Sequence, residues 1–545
     1  MDSKRLILVV IFSFSIMMLW NAWQREHNPP PVPQTQAQEE QTDSSVPQAV
    51  TDKPADKPSA PVQESGVSLA KGQRVRVETD TVQAEIDTNG GDLRYLALLK
   101  HRDDAGTGNF VLLDDSKPPA IYVAQSGLVG TNLPSHKAIF TASADNYTLQ
   151  PGQDKLEVKL SWSGEDGVSV DKIYTFHRDS YVVDLRYEIH NGSTAPLDAS
   201  VYYQIMHDSD SAAASRMMPT FTGGAYYTDA DKYKKIKFDK MREENLSQTA
   251  SDGWLALVQH YFVSAWLPKE GNREYYTKAL TDKVFLIGAV SAVEAVAPGA
   301  SATVDARFYA GPQVQTLLEK VAPGMENVVD YGWLKVIASP LFWLLSQIHK
   351  LVQNWGVAII LLTVLIKLAF YPLSAKSYKS MAHMRELAPR LQRLKEQYGD
   401  DRQKMHQAMM ELYKTEKINP MGGCLPIVVQ IPVFISLYWV LLGSVEMRHA
   451  PFMLWIHDLS AVDPYYVLPV LMAITMFIQT RLNPKPPDPI QAKMMMFMPI
   501  AFSVFFFFFP AGLVLYWLIN NVLSIAQQWN INRTIGQAKT GKKSR

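Results

Sequence analysis

Residues 494–529 form an apolar run of 36 residues, twice what one membrane crossing needs, and Pro510-Ala-Gly512 divides it. A helix rises about 1.5 Å per residue, so about 20 apolar residues cross a bilayer's hydrocarbon core. The run therefore reads as two helices joined by a tight turn. Residues 357–371, 425–442 and 465–480 are further apolar runs, and residues 6–23 make another near the N-terminus. Together they predict six spans. Any fold for this chain has to be built around a bilayer.

Lys4 and Arg5 precede the first run, which reads as a retained anchor (residues 1–27) with its N-terminus in the cytoplasm. A cleaved signal peptide is the competing reading. It needs a shorter apolar core and a small-x-small site, which Trp20-Asn-Ala-Trp23 does not offer. Residues 28–68 are Pro, Gln, Ser, Thr, Asp and Glu with almost no apolar side chains, so they cannot offset their ordering entropy and read as a tether.

Residues 69–328 carry short alternating runs at 74–86, 155–162, 172–176, 181–189, 200–205, 284–289 and 302–309. Asn89-Gly-Gly91 and Asn191-Gly192 supply turn chemistry, and residues 313–321 read as a short closing helix. The spacing predicts a large antiparallel sandwich. In residues 341–352, Leu341, Leu344, Leu345, Ile348, Leu351 and Val352 share one face. That predicts an amphipathic helix lying in the membrane interface, within a region spanning 329–354. The core follows at 355–532, and a basic tail occupies 533–545.

The connecting segments orient these spans. Residues 374–419 hold ten basic and six acidic side chains, 481–493 three and one, and 533–545 five and none. Residues 443–464 hold one and three. The positive-inside rule places the first three in the cytoplasm and the last outside, so both termini are cytoplasmic and the β-rich region is extracytoplasmic. The chain's zero net charge conceals this: residues 341–545 hold 21 basic and 10 acidic groups, residues 1–340 hold 32 and 43.

Lys367 is the informative side chain, a lone cation inside an apolar run. One reading is a lysine whose stem lies in lipid while its ammonium reaches the headgroups. The other follows from its neighbours: Thr363, Lys367 and Tyr371 are four residues apart, as are Tyr516, Asn520 and Ser524 with Gln527 or Gln528 beyond. Gln430, Ser436, Thr475 and Gln479 add polar groups to two further spans. Polar groups in hydrocarbon must face each other or water, which suggests a wetted cavity around Lys367, with ordinary interhelical hydrogen bonding as the rival.

Residues 374–418 predict a cytoplasmic helical hairpin. Met381, Met384, Leu387, Leu391 and Leu394 and then Met405, Met409 and Leu412 form its seam. The methionines either pack the two helices together or offer a pliable peptide-binding surface. His207, Asp208 and Asp210 read as a polar loop, with metal ligation as the alternative. Asn146 and Asn245 fit the glycosylation triplet, Cys424 reads as a packing residue, and Phe505 to Phe509 as lipid-facing bulk. One cysteine excludes an intramolecular disulfide, and there is no Walker loop, His-Glu-x-x-His or Gly-x-Ser-x-Gly pattern.

Asn354-Trp-Gly356, Tyr371-Pro-Leu373, Asn419-Pro-Met-Gly-Gly-Cys-Leu-Pro426, Leu454-Trp-Ile-His-Asp-Leu459 and Pro510-Ala-Gly-Leu-Val-Leu-Tyr-Trp517 are specific landmarks. Together with Asp330-Tyr-Gly-Trp333 and Gln430-Ile-Pro-Val-Phe434, they resemble the YidC/Oxa/Alb family of membrane protein insertases in its long Gram-negative form. The resemblance implies a polytopic α-helical protein of six spans with a five-helix insertase core, plus an extracytoplasmic antiparallel β-supersandwich without a catalytic role. It implies no cofactor, no metal and no covalent chemistry. A cytoplasm-open groove would contain Lys367, Thr363, Tyr371, Gln430, Tyr516, Asn520 and Ser524, and an apolar slide would contain Val433, Phe434, Leu437, Met472, Phe502 and Phe505. The implied partners are nascent membrane proteins, the Sec translocon with its accessory subunits, the lipid bilayer, and the ribosome or targeting factors through the hairpin and tail. The family usually carries arginine at the position of Lys367. A solute transporter or channel, and an enzyme in the β region, are the alternatives.

Overall fold

The computed structural model describes residues 46–47, 69–209, 220–269, 271–398, 401–416, 425–482, 493–494, 496–497 and 503–543. The N-terminal run, nearly all of the tether, Asp210, Cys424 and Phe502 lie outside them. The described chain forms two compact units. One runs to Asp330 and includes Gly443–His449; the other comprises Tyr331–Leu442 and the residues from Ala450 onward.

The first unit is two sheets. A sheet of ten strands runs from Ser247–Ala250 through Arg273–Ala279, Val284–Val296, Leu197–Asp208, Tyr122–Val129, Asp92–Arg102, Val82–Asp87 and Arg74–Glu78 to Asn146–Thr148. Asn109–Leu113 pairs with Asp92–Arg102. The other, of nine strands, runs from Lys232–Ile236 through Gly223–Thr228, Trp254–Val258, Phe262–Pro268, Ser301–Pro312, Val182–Asn191, Val168–His177 and Lys155–Ser163 to Thr141–Ala142. Alternation sets the inner faces: Val168, Val170, Lys172, Tyr174 and Phe176 are buried while their neighbours are partly exposed. The central strands are buried on both faces, as in Trp254–Val258, and there the alternation disappears. His207 and Asp208 end the strand Leu197–Asp208 rather than lying in a polar loop. Both are buried, and Asp208 accepts the backbone N–H of Ile121 at 2.9 Å, which ties that strand end down. Gln315–Val321 is the closing helix.

Gly443–His449 packs into this unit although it follows a helix of the other. Val445 joins the inter-sheet core. The Arg448 guanidinium lies over the rings of Phe110 and Phe262, at 5.2 and 5.6 Å, and donates to Arg102 O and to Asp104 Oδ1. Its side chain is only 5% exposed, so the stacking is screened little by water, whereas Asp104 is 95% exposed and its ion pair adds little. Arg448→Ala is expected to destabilise the β unit by about 2 kcal/mol, whereas Arg448→Lys recovers little because it loses the planar stack. Urea unfolding with amide exchange read at Phe262–Pro268 measures this, and unchanged protection there would refute it.

In the helical unit, α1 is Lys335–Val352, α2 Trp355–Ala369, α3 Tyr371–Tyr398, α4 Arg402–Thr415, α5 Leu425–Gly443, α6 Val467–Leu482 and α7 Ala511–Lys543. The landmark motifs are its joints. Asn354 caps α2 by accepting from the Val357 N–H, and it donates to Phe452 O at 2.8 Å. Gly356 lets Phe452 approach, since a Cβ there would lie 2.1 Å from that ring. Ala511 and Gly512 donate their backbone N–H groups to Ala461 O and Leu459 O, at 2.7 and 2.9 Å, so the motifs around 459 and 510 lock together. Pro372 has no N–H to continue α2, and the chain bends 67° into α3. Among the described residues no single helix is long and apolar enough to cross a membrane; Trp355–Ala369 and Tyr371–Leu387 qualify together across that bend.

α3 and α4 pair as a helical hairpin. Leu387, Leu391 and Tyr413 are its buried centre, with Met409 and Leu412 packed against them. Met381, Met384 and Met405 are half-buried.

Candidate functional site

Lys367 lies in the last turn of α2, where unpaired helix carbonyls favour a cation. Its Nζ donates to Ser524 Oγ of α7 at 2.7 Å. Ser524 Oγ donates in turn to Asn520 O at 2.7 Å, and Asn520 Oδ1 accepts from Gln430 Nε2 of α5, also at 2.7 Å. Tyr516, 2% exposed, contacts the same Gln430. Residues four apart share a helix face, so one stripe of α7 meets both α2 and α5.

A second branch runs from Ser524 to the Tyr378 hydroxyl of α3, which also contacts Gln479 of α6. Gln479 Nε2 then donates to Gln528 Oε1 at 3.3 Å. Among the described residues Lys367 has no carboxylate partner.

A lysine beside a serine hydroxyl has the parts of a nucleophile and base. Ser524, however, sits mid-helix with its proton committed to Asn520 O. The surrounding backbone N–H groups are committed to the helix, leaving no oxyanion donors. The pair holds a charge in place and does not attack. Among the described residues no cluster of His, Cys, Asp and Glu could hold a metal ion.

The predicted groove residues divide. Lys367, Ser524, Asn520, Gln430 and Tyr516 come together. Thr363 is buried, its hydroxyl donating to Ile359 O within its own helix at 2.6 Å. Tyr371 does not share the Lys367 face: the bend at Pro372 places it in α3, 43% exposed, where its carbonyl accepts from Gln527 Nε2. Tyr378 joins the seam although residues 374–418 read from the sequence as a cytoplasmic hairpin. The buried Ser374 and Ser377 beside it are the signal that the start of α3 faces the seam.

The predicted slide divides as well. Phe434 and Phe505 line an apolar cavity of about 410 Å³ with Ile435, Tyr438, Trp439 and Trp517. Val433 is half-buried, while Leu437 and Met472 are buried in helix packing. The polar seam and the aromatic cavity both use α5 and α7, and Tyr516 and Trp517 are the adjacent residues that face each of them.

A family model described as the YidC periplasmic domain matches residues 74–344, and one described as 60Kd inner membrane protein matches residues 347–539. A membrane protein insertase YidC of Methylobacillus flagellatus is 67% identical over 548 residues, covering 100% of this chain and 99% of that protein. Proteins of the same description from Nitrosospira multiformis and Aromatoleum aromaticum are each 52% identical, over 567 and 550 residues, covering 100% of both chains.

Proposed function

Because the chain belongs to the YidC family of membrane protein insertases, an inner-membrane family with a periplasmic β-rich domain, we propose that Lys367 is the charge that draws a client's polar segment into the bilayer. The chain is an insertase and not an enzyme, and nothing in its relatives supports the transporter alternative. The observation that carries the mechanism is Lys367 itself, a half-buried cation on an apolar helix, held by one neutral hydroxyl and free of any carboxylate among the described residues.

In this reading the seam around Ser524, Asn520, Gln430 and Tyr516 opens toward the cytoplasm and takes up water and the translocated polar part of a client. A wet recess shortens the hydrocarbon path, and its single positive charge attracts acidic segments. The client's apolar segment leaves along the aromatic surface of α5 and α7, where Val433, Phe434 and Phe505 stand. Six spans with both termini in the cytoplasm, an anchor at 1–27, a tether at 28–68, a β domain at 69–328 and an interfacial helix region at 329–354 complete the architecture. The charge bias of the loops supports it. The hairpin at 374–418 and the basic tail are the surfaces for the ribosome or targeting factors, and insertion proceeds alone or beside the Sec translocon.

Photocrosslinkers at Thr363, Val433 and Tyr516 test the path. All are expected to label a stalled nascent chain bearing an apolar segment, and since Thr363 and Tyr516 are buried, labelling there reports that the seam has opened. Labelling at Val433 alone would refute the groove.

A further inference from the structure

The bond between Lys367 and Ser524 has a direction that the groove reading does not use. Ser524 Oγ has one proton, and it goes to Asn520 O at 2.7 Å. What remains toward Lys367 is lone pairs, so the hydroxyl receives the ammonium as an acceptor at 2.7 Å. Ser524 is only 6% exposed, so the contact is made away from bulk water. It is the sole hydrogen-bond acceptor that holds Lys367 among the described residues, and it engages one of three N–H donors.

We propose that Ser524 is a positioning residue that parks the Lys367 ammonium against α7 in the empty groove and yields it to an acidic side chain of the client. The inference rests on the groove reading above. A neutral hydroxyl suits this task because it offers the ammonium only a dipole, whereas a client carboxylate adds the attraction of a full opposite charge and outcompetes it. An aspartate or glutamate at 524 would hold the ammonium permanently. Without any acceptor, the flexible lysine stem carries the charge toward the headgroups, away from the depth at which a client must be met. Tyr378 contacts the same Ser524 hydroxyl from the α3 side.

The test uses the full-length chain in phosphatidylethanolamine–phosphatidylglycerol vesicles. The probe is a single-span client with aspartates in its translocated tail, compared with the same client carrying asparagines there. The readout is the ratio of acidic-tail to neutral-tail insertion rates, which a general packing defect leaves in place. Ser524→Ala is expected to lower that ratio about fivefold, and Ser524→Thr, which keeps an acceptor, to restore it. In a Lys367→Ala background Ser524→Ala should lower the ratio no further, because the two residues act as one unit. If Lys367→Ala lowers the ratio and Ser524→Ala does not, or if threonine fails to restore it, the positioning role is overturned and the groove reading stands. If neither variant moves the ratio, the charge reading itself falls.

Discussion

Lys367→Ala is expected to slow insertion of clients with acidic translocated tails by about 10- to 100-fold relative to the same clients with neutral tails. Two opposite charges about 4 Å apart attract by about 4 kcal/mol at the effective dielectric of a half-buried site. Part of that is lost because the ammonium must leave Ser524 and the carboxylate must leave water, and one to two factors of ten remain. Lys367→Arg keeps the charge and adds a planar fork, so it should stay within about threefold of the native chain. Lys367→Glu should invert the preference and favour basic tails over acidic ones. Protease protection of the translocated tail in reconstituted vesicles gives the rates. An alanine variant that treats both tails as the native chain does would remove electrostatic attraction from the mechanism.

The sequence shows Lys367 plainly because one cation in an apolar run has no other explanation than function or snorkelling. The stripe Tyr516, Asn520, Ser524 is equally legible, since a period of four on an uninterrupted helix survives folding. The parallel stripe Thr363, Lys367, Tyr371 fails because its period presumes a straight helix. Pro372 was the warning, removing the N–H that α2 needs to continue. In the β unit, strands with one wet face announce themselves, as Val168–His177 and Val182–Asn191 do. Trp254–Val258 and Phe262–Pro268 do not, because burial on both sides erases the alternation that marks a strand. The packing of Gly443–His449 into the β unit is invisible for a different reason. It depends on Phe110 and Phe262, more than 180 residues away in sequence, forming a stack that Arg448 can cover.

Lys172→Met should destabilise the β domain by about 2–3 kcal/mol, because the Gly90 and Ser126 carbonyls and the Asp92 carboxylate lose a buried N–H donor. Lys172 and Asp92 are both fully buried between the sheets, with Nζ 3.7 Å from Asp92 Oδ1. The ammonium donates to Gly90 O and Ser126 O, each at 3.0 Å, and lies over the rings of Tyr174 and Tyr187. Methionine fills the space of the stem but leaves the Asp92 carboxylate with Gln125 Nε2 at 3.0 Å and the more distant Ser126 N–H and Arg94, at 3.4 and 3.5 Å. Restoring charge balance with Asp92→Asn in the same chain should recover much of the loss. The lysine also gives the unit a pH signature. Burial lowers its pKa to about 8, against the pull of Asp92, from 10.5 in the unfolded chain. Between those values the unfolded state binds more protons than the folded one, so stability rises with pH. The gain is on the order of 2–3 kcal/mol from pH 8 to 10. Above pH 10 the trend reverses, because buried Tyr174, Tyr187 and Tyr202 hold their protons in the fold and lose them when it opens. Urea midpoints between pH 7 and 10, read by amide exchange in Val168–His177, should climb clearly more for the native chain than for Lys172→Met, in which only the lesser contributions of Lys137 and Lys278 remain. A native chain with no climb would mean that the ammonium is as well solvated by its carbonyls, carboxylate and rings as it is by water.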